Sequence, residues 1–155
     1  MSSTYTNLIY HIVYSTKCRR PIIERHDREE LYRYIGGIIR ANQGILLEIG
    51  GMPDHVHILA KLTPKLAVTD VLRLVKTNSS KWLNERPSRK GRFGWQTGYA
   101  AFSVSQSQLP VVTRYIRNQE KHHQKQTFLE EYLALLTKHQ IEFEDRFVFE
   151  EEYFA

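Results

Sequence analysis

The chain predicts an α+β fold built on an antiparallel sheet, and three observations carry that prediction. Segments rich in β-branched and aromatic residues alternate with segments of helical apolar spacing, in the order β-α-β-β-α-β followed by further helices. The two middle strands are adjacent in sequence and form a hairpin between two strand–helix units, which is the split βαβ, or ferredoxin-like, pattern. The length of 155 residues fits one domain spanning 1–155, and an apolar share of 41% supplies a core without disulfides. In this pattern the first two helices cover one sheet face and leave the other open, and the C-terminal helices come in addition.

Each element has its own signal. Leu8 to Thr16 (LIYHIVYST) is β-branched and aromatic, with Leu8, Tyr10, Ile12 and Tyr14 on one face and Ile9, His11 and Val13 on the other. Bulk on both faces marks a central strand. Asp27 caps a helix whose stripe is Leu31, Tyr34, Ile35, Ile38 and Ile39, stopped at Gly44. Gly36 and Gly37 inside it weaken it by about 1 kcal/mol each against alanine. Ile45 to Ile49 is a second strand, Gly50, Gly51 and Pro53 make a turn, and His55 to Leu62 (HVHILAKL) is a third strand. Val68 to Leu83 is a helix with Val68, Val71, Leu72, Val75 and Trp82 on its apolar side. Asn84 to Gly98 is a basic loop, and Tyr99 to Ser105 is a fourth strand. Pro110 sits in the first turn of a helix that runs through Val111, Val112, Tyr115, Ile116 and Gln119. Thr127 to Glu130 is a capping box opening a last helix with Phe128, Leu129, Tyr132, Leu133, Leu135 and Leu136 apolar. The tail from Ile141 to Ala155 alternates aromatic and acidic residues, as a short strand or an extended arm.

Composition narrows the function classes. Lys and Arg exceed Asp and Glu by five, which permits an anionic partner without requiring one. The single cysteine, Cys18, excludes an intramolecular disulfide and a cysteine-rich zinc module. No stretch reaches the run of about 18 apolar residues that a membrane span needs. The first residues lack a secretory signal. The expectation is a cytoplasmic protein with no membrane partner.

Two features carry chemistry. His55 and His57 flank Val56 on a strand, so both imidazoles share one face and Val56, Ile58 and Ala60 point to the other. Paired imidazoles on a rigid strand make half a metal site, although a bare His-x-His is more often one packed and one solvated histidine. Leu59, Ala60 and Lys61 exclude a third alternating histidine and an Asp-His pair, against two other hydrolase patterns. Tyr115 and Gln119 stand four apart on a helix and therefore share a face. Gln119 can offer a carbonyl oxygen to a metal, and Tyr115 lies one turn away. Taken alone, Tyr115 reads as packing and Gln119 as surface.

Met52-Pro-Asp-His-Val-His57, followed after a fourth strand by Tyr115-Ile-Arg-Asn-Gln119, resembles the single-tyrosine HUH transposases of bacterial and archaeal insertion sequences, the TnpA type. The resemblance runs from the first strand to the helix after the tyrosine. It implies an enzyme that cleaves and rejoins single-stranded DNA at hairpin-marked element ends through a 5′-phosphotyrosine. By carry-over, Tyr115 is the nucleophile, and His55, His57 and Gln119 hold one divalent ion, Mg²⁺ or Mn²⁺. It implies a homodimer whose active sites are shared between subunits, with Gln106 to Pro110 as the hinge. A tyrosine hydroxyl, with a pKa near 10, needs such an ion to draw charge from the scissile phosphate. His122 and His123 read as surface or DNA-facing residues, outside the metal set. Arg73, Lys76 and Lys81 on one helix, with Arg89, Lys90 and Arg92 in the next loop, are candidate phosphate contacts. The acidic tail should face away from DNA or dock on a partner subunit. Two other readings remain: a non-catalytic single-stranded nucleic-acid-binding module, and a metal-dependent nuclease that uses water.

Overall fold

The computed structural model describes residues 3–149. Four strands form one sheet: β1 (Leu8–Ser15), β2 (Ile45–Met52), β3 (His55–Leu62) and β4 (Ala100–Val104), in the order β2-β3-β1-β4. All pairings are antiparallel, and β1 lies between β3 and β4. This is the split βαβ arrangement, with the strand that is bulky on both faces at the centre.

Alternation along β1 and β3 decides what each face does. Ile12, Tyr14, Val56, Ile58, Ala60 and Leu62 point to one face and form the main core. Over it pack α1 (Arg25–Ala41), through Leu31, Ile35 and Ile39, and α2 (Val68–Asn84), through Val71, Leu72, Val75 and Leu83. The register pairs Val13 with His57, Ser15 with His55 and His11 with Leu59, so the histidines occupy the opposite face together. That face is covered within the chain by α3 (Leu109–Arg117), α4 (Gln119–His122) and α5 (Phe128–Lys138). Ile116 packs against Ile9 and Leu59, while Phe128, Tyr132 and Leu136 pack against Val13, Ala100 and Phe102.

Several local expectations change. Gly50 and Gly51 belong to β2, and the hairpin turn is only Pro53 and Asp54. Gly51 pairs with Val56 at a spacing where a Cβ would lie 2.2 Å from the His55 carbonyl oxygen. Asp27 is not a cap: α1 begins two residues earlier, with Glu24 at the N-cap and no capping side chain. Asp27 is fully buried instead, and the Arg86 guanidinium 2.8 Å away compensates its charge. The α1 chain reversal uses Gln43 at φ 66°, one residue before Gly44. The capping box at Thr127 and Glu130 is present with both of its bonds. Within the described tail there is no strand; a 3-10 turn, Asp145–Phe147, leads to Phe149, which is buried against Phe128 and Tyr132. Glu150, Glu151 and Glu152 lie outside the described residues. No helix among the described residues is long and apolar enough to cross a membrane.

Candidate active site

The histidine pair is fixed by the β1–β3 pairing. His55 and His57 are both fully buried at 0% exposure. His55 is oriented from two sides: its Nδ1 lies 2.7 Å from Asp54 Oδ1, and its ring stacks on Phe128 with centroids 4.2 Å apart. His57 is held through Nδ1, 2.9 Å from His11 Nε2 on the neighbouring strand. Each imidazole therefore has a partner on Nδ1 and turns Nε2 into the space beneath α3, α4 and α5. Burial, and then the mutual influence of the two rings, lowers the pKa of His11 to about 3. Burial lowers His57 to about 4, against the raising influence of Glu131. Both rings are neutral at pH 7.

Tyr115 and Gln119 reach this space differently from a continuous helix. The helix is interrupted at Asn118 (φ −96°, ψ 24°), and Gln119 opens the short α4. The interruption turns Gln119 inward to 2% exposure, with Oε1 2.9 Å from His55 Nε2. Tyr115 is half-buried, its ring edge-on to His57 with centroids 5.7 Å apart. Its outer side borders a cleft of about 450 Å³ between β4, α3 and α5, shared with His11, Ser103, Gln108 and Lys138. One chain thus brings together all four residues singled out for chemistry.

Two further residues join them. Glu131, on α5, is buried at 1% exposure among the histidines. Its Oε1 lies 3.0 Å from His57 Nε2 and 3.4 Å from His55 Nε2. Its Oε2 accepts hydrogen bonds from the Tyr115 hydroxyl and from Gln119 Nε2, the latter at 3.2 Å. Burial works against its ionisation, but His57 and Tyr115 outweigh it and hold the carboxyl well below the usual carboxylate range. Burial, with the charge of Glu131, pushes the Tyr115 phenol up. His123 corrects the surface expectation: its Nε2 lies 3.0 Å from both Gln119 Oε1 and Glu131 Oε1. It is nearly buried because α4 turns it back towards β3, with its ring centroid 4.6 Å from that of His55. His122 is partly exposed, 3.5 Å from the Tyr115 hydroxyl. The sequence did carry a signal for Glu131. It stands three residues after Phe128 and four before Leu135, on the apolar stripe of its helix, where an unpaired carboxylate is out of place.

The donor set fits a divalent cation. The Nε2 atoms of His55 and His57 and a carboxylate oxygen of Glu131 lie within 4.8 Å of one another, and two imidazoles with oxygen donors suit Mg²⁺, Mn²⁺ or Zn²⁺.

The basic candidates lie elsewhere. Helix α2 packs on the sheet face opposite the histidines, so Arg73, Lys76 and Lys81 are separated from Tyr115 by the sheet. Lys76 Nζ is bonded to the carbonyls of Gln96 (3.0 Å) and Gly98 (2.5 Å) ahead of β4. Arg89 donates to the Ile22 carbonyl at 2.8 Å. Arg73 pairs with Asp70 at 3.0 Å, Lys81 lies 4.0 Å from Glu85, and Lys90 and Arg92 are exposed. The aromatic residues of the same loop are packed: Phe93 is in the core and Trp95 donates to Ser79 Oγ at 3.0 Å.

A split βαβ sheet with a His-x-His pair and a tyrosine–glutamine turn on one face defines the single-tyrosine transposase class. Residues 4–119 match the family described as "Transposase IS200 like", and the chain belongs to that family. Relatives of known activity agree. The chain is 26% identical to the ISDra2 transposase TnpA of Deinococcus radiodurans over 117 residues, covering 72% of this chain and 84% of that one. It is 28% identical to the transposase of insertion sequence element IS200 of Salmonella typhimurium over 128 residues, covering 77% and 81%. A crystal structure from Deinococcus radiodurans superposes with a TM-score of 0.60 at 25% identity, covering 77% of this chain and 95% of that one. A REP-associated tyrosine transposase, solved bound to a REP hairpin, shares the fold with a TM-score of 0.60 at 14% identity, covering 79% and 74%.

Proposed function

We propose that this transposase cleaves and rejoins single-stranded DNA at hairpin-marked ends, with Tyr115 as nucleophile and one divalent ion, Mg²⁺ or Mn²⁺, held by His55, His57 and Gln119. The observation that carries the reading is the convergence of the half-buried Tyr115 with buried imidazole and amide groups on one sheet face. A hairpin DNA substrate is supported by the REP hairpin bound to the related fold.

Each residue has a part in the reaction. Tyr115 faces the cleft, so a strand lying there presents its phosphorus to the phenol oxygen. The phenol oxygen forms a bond to phosphorus, the bond to the 3′ oxygen breaks, and the products are a 5′-phosphotyrosine and a 3′-hydroxyl. The bound ion would supply charge neutralisation on the phosphate oxygens. His55 and His57 would hold that ion through Nε2, and His11 and Asp54 partner their Nδ1 atoms from behind. A phenolate is a good leaving group, so a second 3′-hydroxyl can reverse the step without ATP, as strand transfer requires and simple hydrolysis does not. The reading includes a homodimer with Gln106 to Pro110 as the hinge of the tyrosine helix. Phosphate contacts are carried forward for Arg73, Lys81, Lys90 and Arg92, while Lys76 and Arg89 spend their heads within the chain.

The test is covalent trapping. Labelled single-stranded DNA from the flanks of the gene is incubated with protein and Mn²⁺, then run on a denaturing gel beside Tyr115→Phe and His57→Ala. An adduct lost in both variants is the expected result. Cleavage without an adduct, surviving Tyr115→Phe, overturns the reading in favour of a water-using nuclease. Hairpin binding with neither cleavage nor adduct leaves a non-catalytic module.

A further inference from the structure

Glu131 stands at the centre of the site yet lies beyond residues 4–119, the part shared with the family. Its environment is unusual for a carboxylate. The side chain is 1% exposed, and its ion-pair partners among the described residues are all histidines, with no lysine or arginine. A carboxylate buried among imidazoles, a phenol and an amide has no lysine or arginine beside it to balance its charge.

The hydrogen-bond acceptors behind the imidazoles fix the tautomers. Asp54 Oδ1 can only accept, so at 2.7 Å it takes the Nδ1 proton of His55. The Gln126 carbonyl can only accept, so at 2.7 Å it takes the Nδ1 proton of His123. In the tautomer with its proton on Nδ1, each of His55 and His123 turns a bare Nε2 lone pair towards Oε1 of Gln119 and Oε1 of Glu131. Gln119 cannot relieve this by flipping, because its Nε2 already donates to Glu131 Oε2. Nitrogen and oxygen lone pairs therefore converge on one space, which calls for a cation. Neighbouring donors in the cluster are 2.9–3.4 Å apart. Adjacent ligands of an octahedral Mg²⁺ bound at about 2.1 Å are separated by about 3 Å.

We propose that Glu131 is a metal ligand in this chain: its Oε1 joins His55, His57 and Gln119 around a hard divalent cation, while its Oε2 holds the Tyr115 hydroxyl. The residue then does two jobs with one carboxylate. It brings the negative charge that a set of imidazoles and an amide lacks, and it fixes the nucleophile beside the ion. This deepens the function proposed above and rests on its metal site.

The experiment reads metal affinity directly. Mn²⁺ is titrated into wild-type protein, Glu131→Gln, Glu131→Asp and His57→Ala, and free Mn²⁺ is followed by its EPR signal, with thermal melting in EDTA as a check on folding. Glu131→Gln is near-isosteric and removes the charge; more than about 100-fold weaker Mn²⁺ binding is expected, beyond the roughly 10- to 100-fold that loss of an outer partner gives. Should that variant not fold, Glu131→Asp withdraws the carboxylate by one methylene and should also weaken binding. Wild-type Mn²⁺ affinity in a folded Glu131 variant, with binding lost in His57→Ala, overturns the Glu131 assignment and leaves the histidine site standing. A lower melting temperature with unchanged Mn²⁺ affinity overturns it too, because that is the signature of a purely structural carboxylate. Wild-type protein that binds no Mn²⁺ overturns both this inference and the metal-dependent reading beneath it.

Discussion

Gly50→Ala is a one-methyl change on the strand beside the histidines, and on the proposed role of Tyr115 it should slow the reaction while sparing the histidines. Gly50 lies on β2 opposite His57, where α3 crosses the strand. A Cβ there would sit 2.7 Å from the Ile116 carbonyl oxygen and 3.1 Å from Ile116 Cγ2, against an ordinary contact beginning at 3.4 Å. The carbonyl belongs to helix backbone and cannot rotate away, so α3 must retreat by about 0.7 Å. Tyr115 precedes Ile116 and moves with it, out of its position relative to Glu131 and His57. A misplacement of about 1 Å at a reacting group can cost on the order of 10²-fold in rate, so a loss of 10- to 100-fold is expected. Overpacking of this kind costs about 1–3 kcal/mol, or roughly 2–9 °C in melting temperature for a chain of this size. The assay is single-turnover formation of the protein–DNA adduct at saturating Mn²⁺, with Mn²⁺ affinity measured alongside. Adduct formation should slow while Mn²⁺ binding through His55 and His57 persists. Wild-type adduct rate together with an unchanged melting temperature would show that α3 is not seated on Gly50, and the reasoning would fail.

Three other outcomes follow from the same geometry. Gly37→Ala should stabilise the chain by about 1 kcal/mol in thermal melts, because no heavy atom lies within 4 Å of the new Cβ, whereas Gly36→Ala meets Leu46 Cδ2 at 3.0 Å and should gain less. Asp54→Ala removes the acceptor on His55 Nδ1 and should weaken Mn²⁺ binding by about 10- to 100-fold without unfolding the protein, read by the same EPR titration. Acidification should destabilise the metal-free protein. The unfolded chain takes up protons on His57 and His11 below pH 6.5, but the folded chain does so only near pH 4 and pH 3. Stability is therefore full above pH 6.5 and falls as pH drops towards 4, in the same direction as the depressed carboxyl of Glu131. Melting temperatures in EDTA that stay level from pH 7.5 to about pH 4.5 would contradict this.

Much of the architecture is legible because it is written in short-range periodicity. The alternation in His55 to Leu62 separates histidines from core, and the register with β1 preserves that separation. Bulk on both faces of Leu8–Ser15 places it in the middle of the sheet. Where short-range signals mislead, a long-range contact has overridden them. Gly50 and Gly51 have turn propensity, but β3 supplies hydrogen-bond partners through Met52, and the lack of side chains lets α3 approach. Asp27 has capping chemistry, but Arg86, far away in sequence, recruits it into the interior. Glu131 is hidden for a related reason. Its neighbour Glu130 closes the capping box with Thr127, and a second glutamate in the first turn of a helix looks like another favourable charge near the positive end of the dipole. Only the sheet's second face, with its buried imidazoles, gives that position a different meaning.

The basic residues show where sequence reading stops. The apolar stripe of α2 dictates that Arg73 and Lys81 face solvent, but no stripe says on which side of the sheet the helix lies. That is settled by the connection of each strand–helix unit, which puts α1 and α2 together over Ile12, Tyr14 and Val56. Tyr115 faces the other way, bordering a cleft whose lining includes Lys138 on α5. Lys121 and Lys125 border a neighbouring hollow beside His122. Lys138, Lys121 and Lys125 are thus the lysines that line the hollows beside Tyr115 and His122, on the face opposite α2. Charges on α2 can anchor a duplex stem at a distance by phosphate neutralisation, which is insensitive to sequence. On the proposed reading, placement of the scissile phosphate falls to the groups on the face that carries Tyr115. On the proposed reading the sheet divides binding and chemistry between its two sides, with the buried polar cluster of His55, His57, Gln119 and Glu131 on the second.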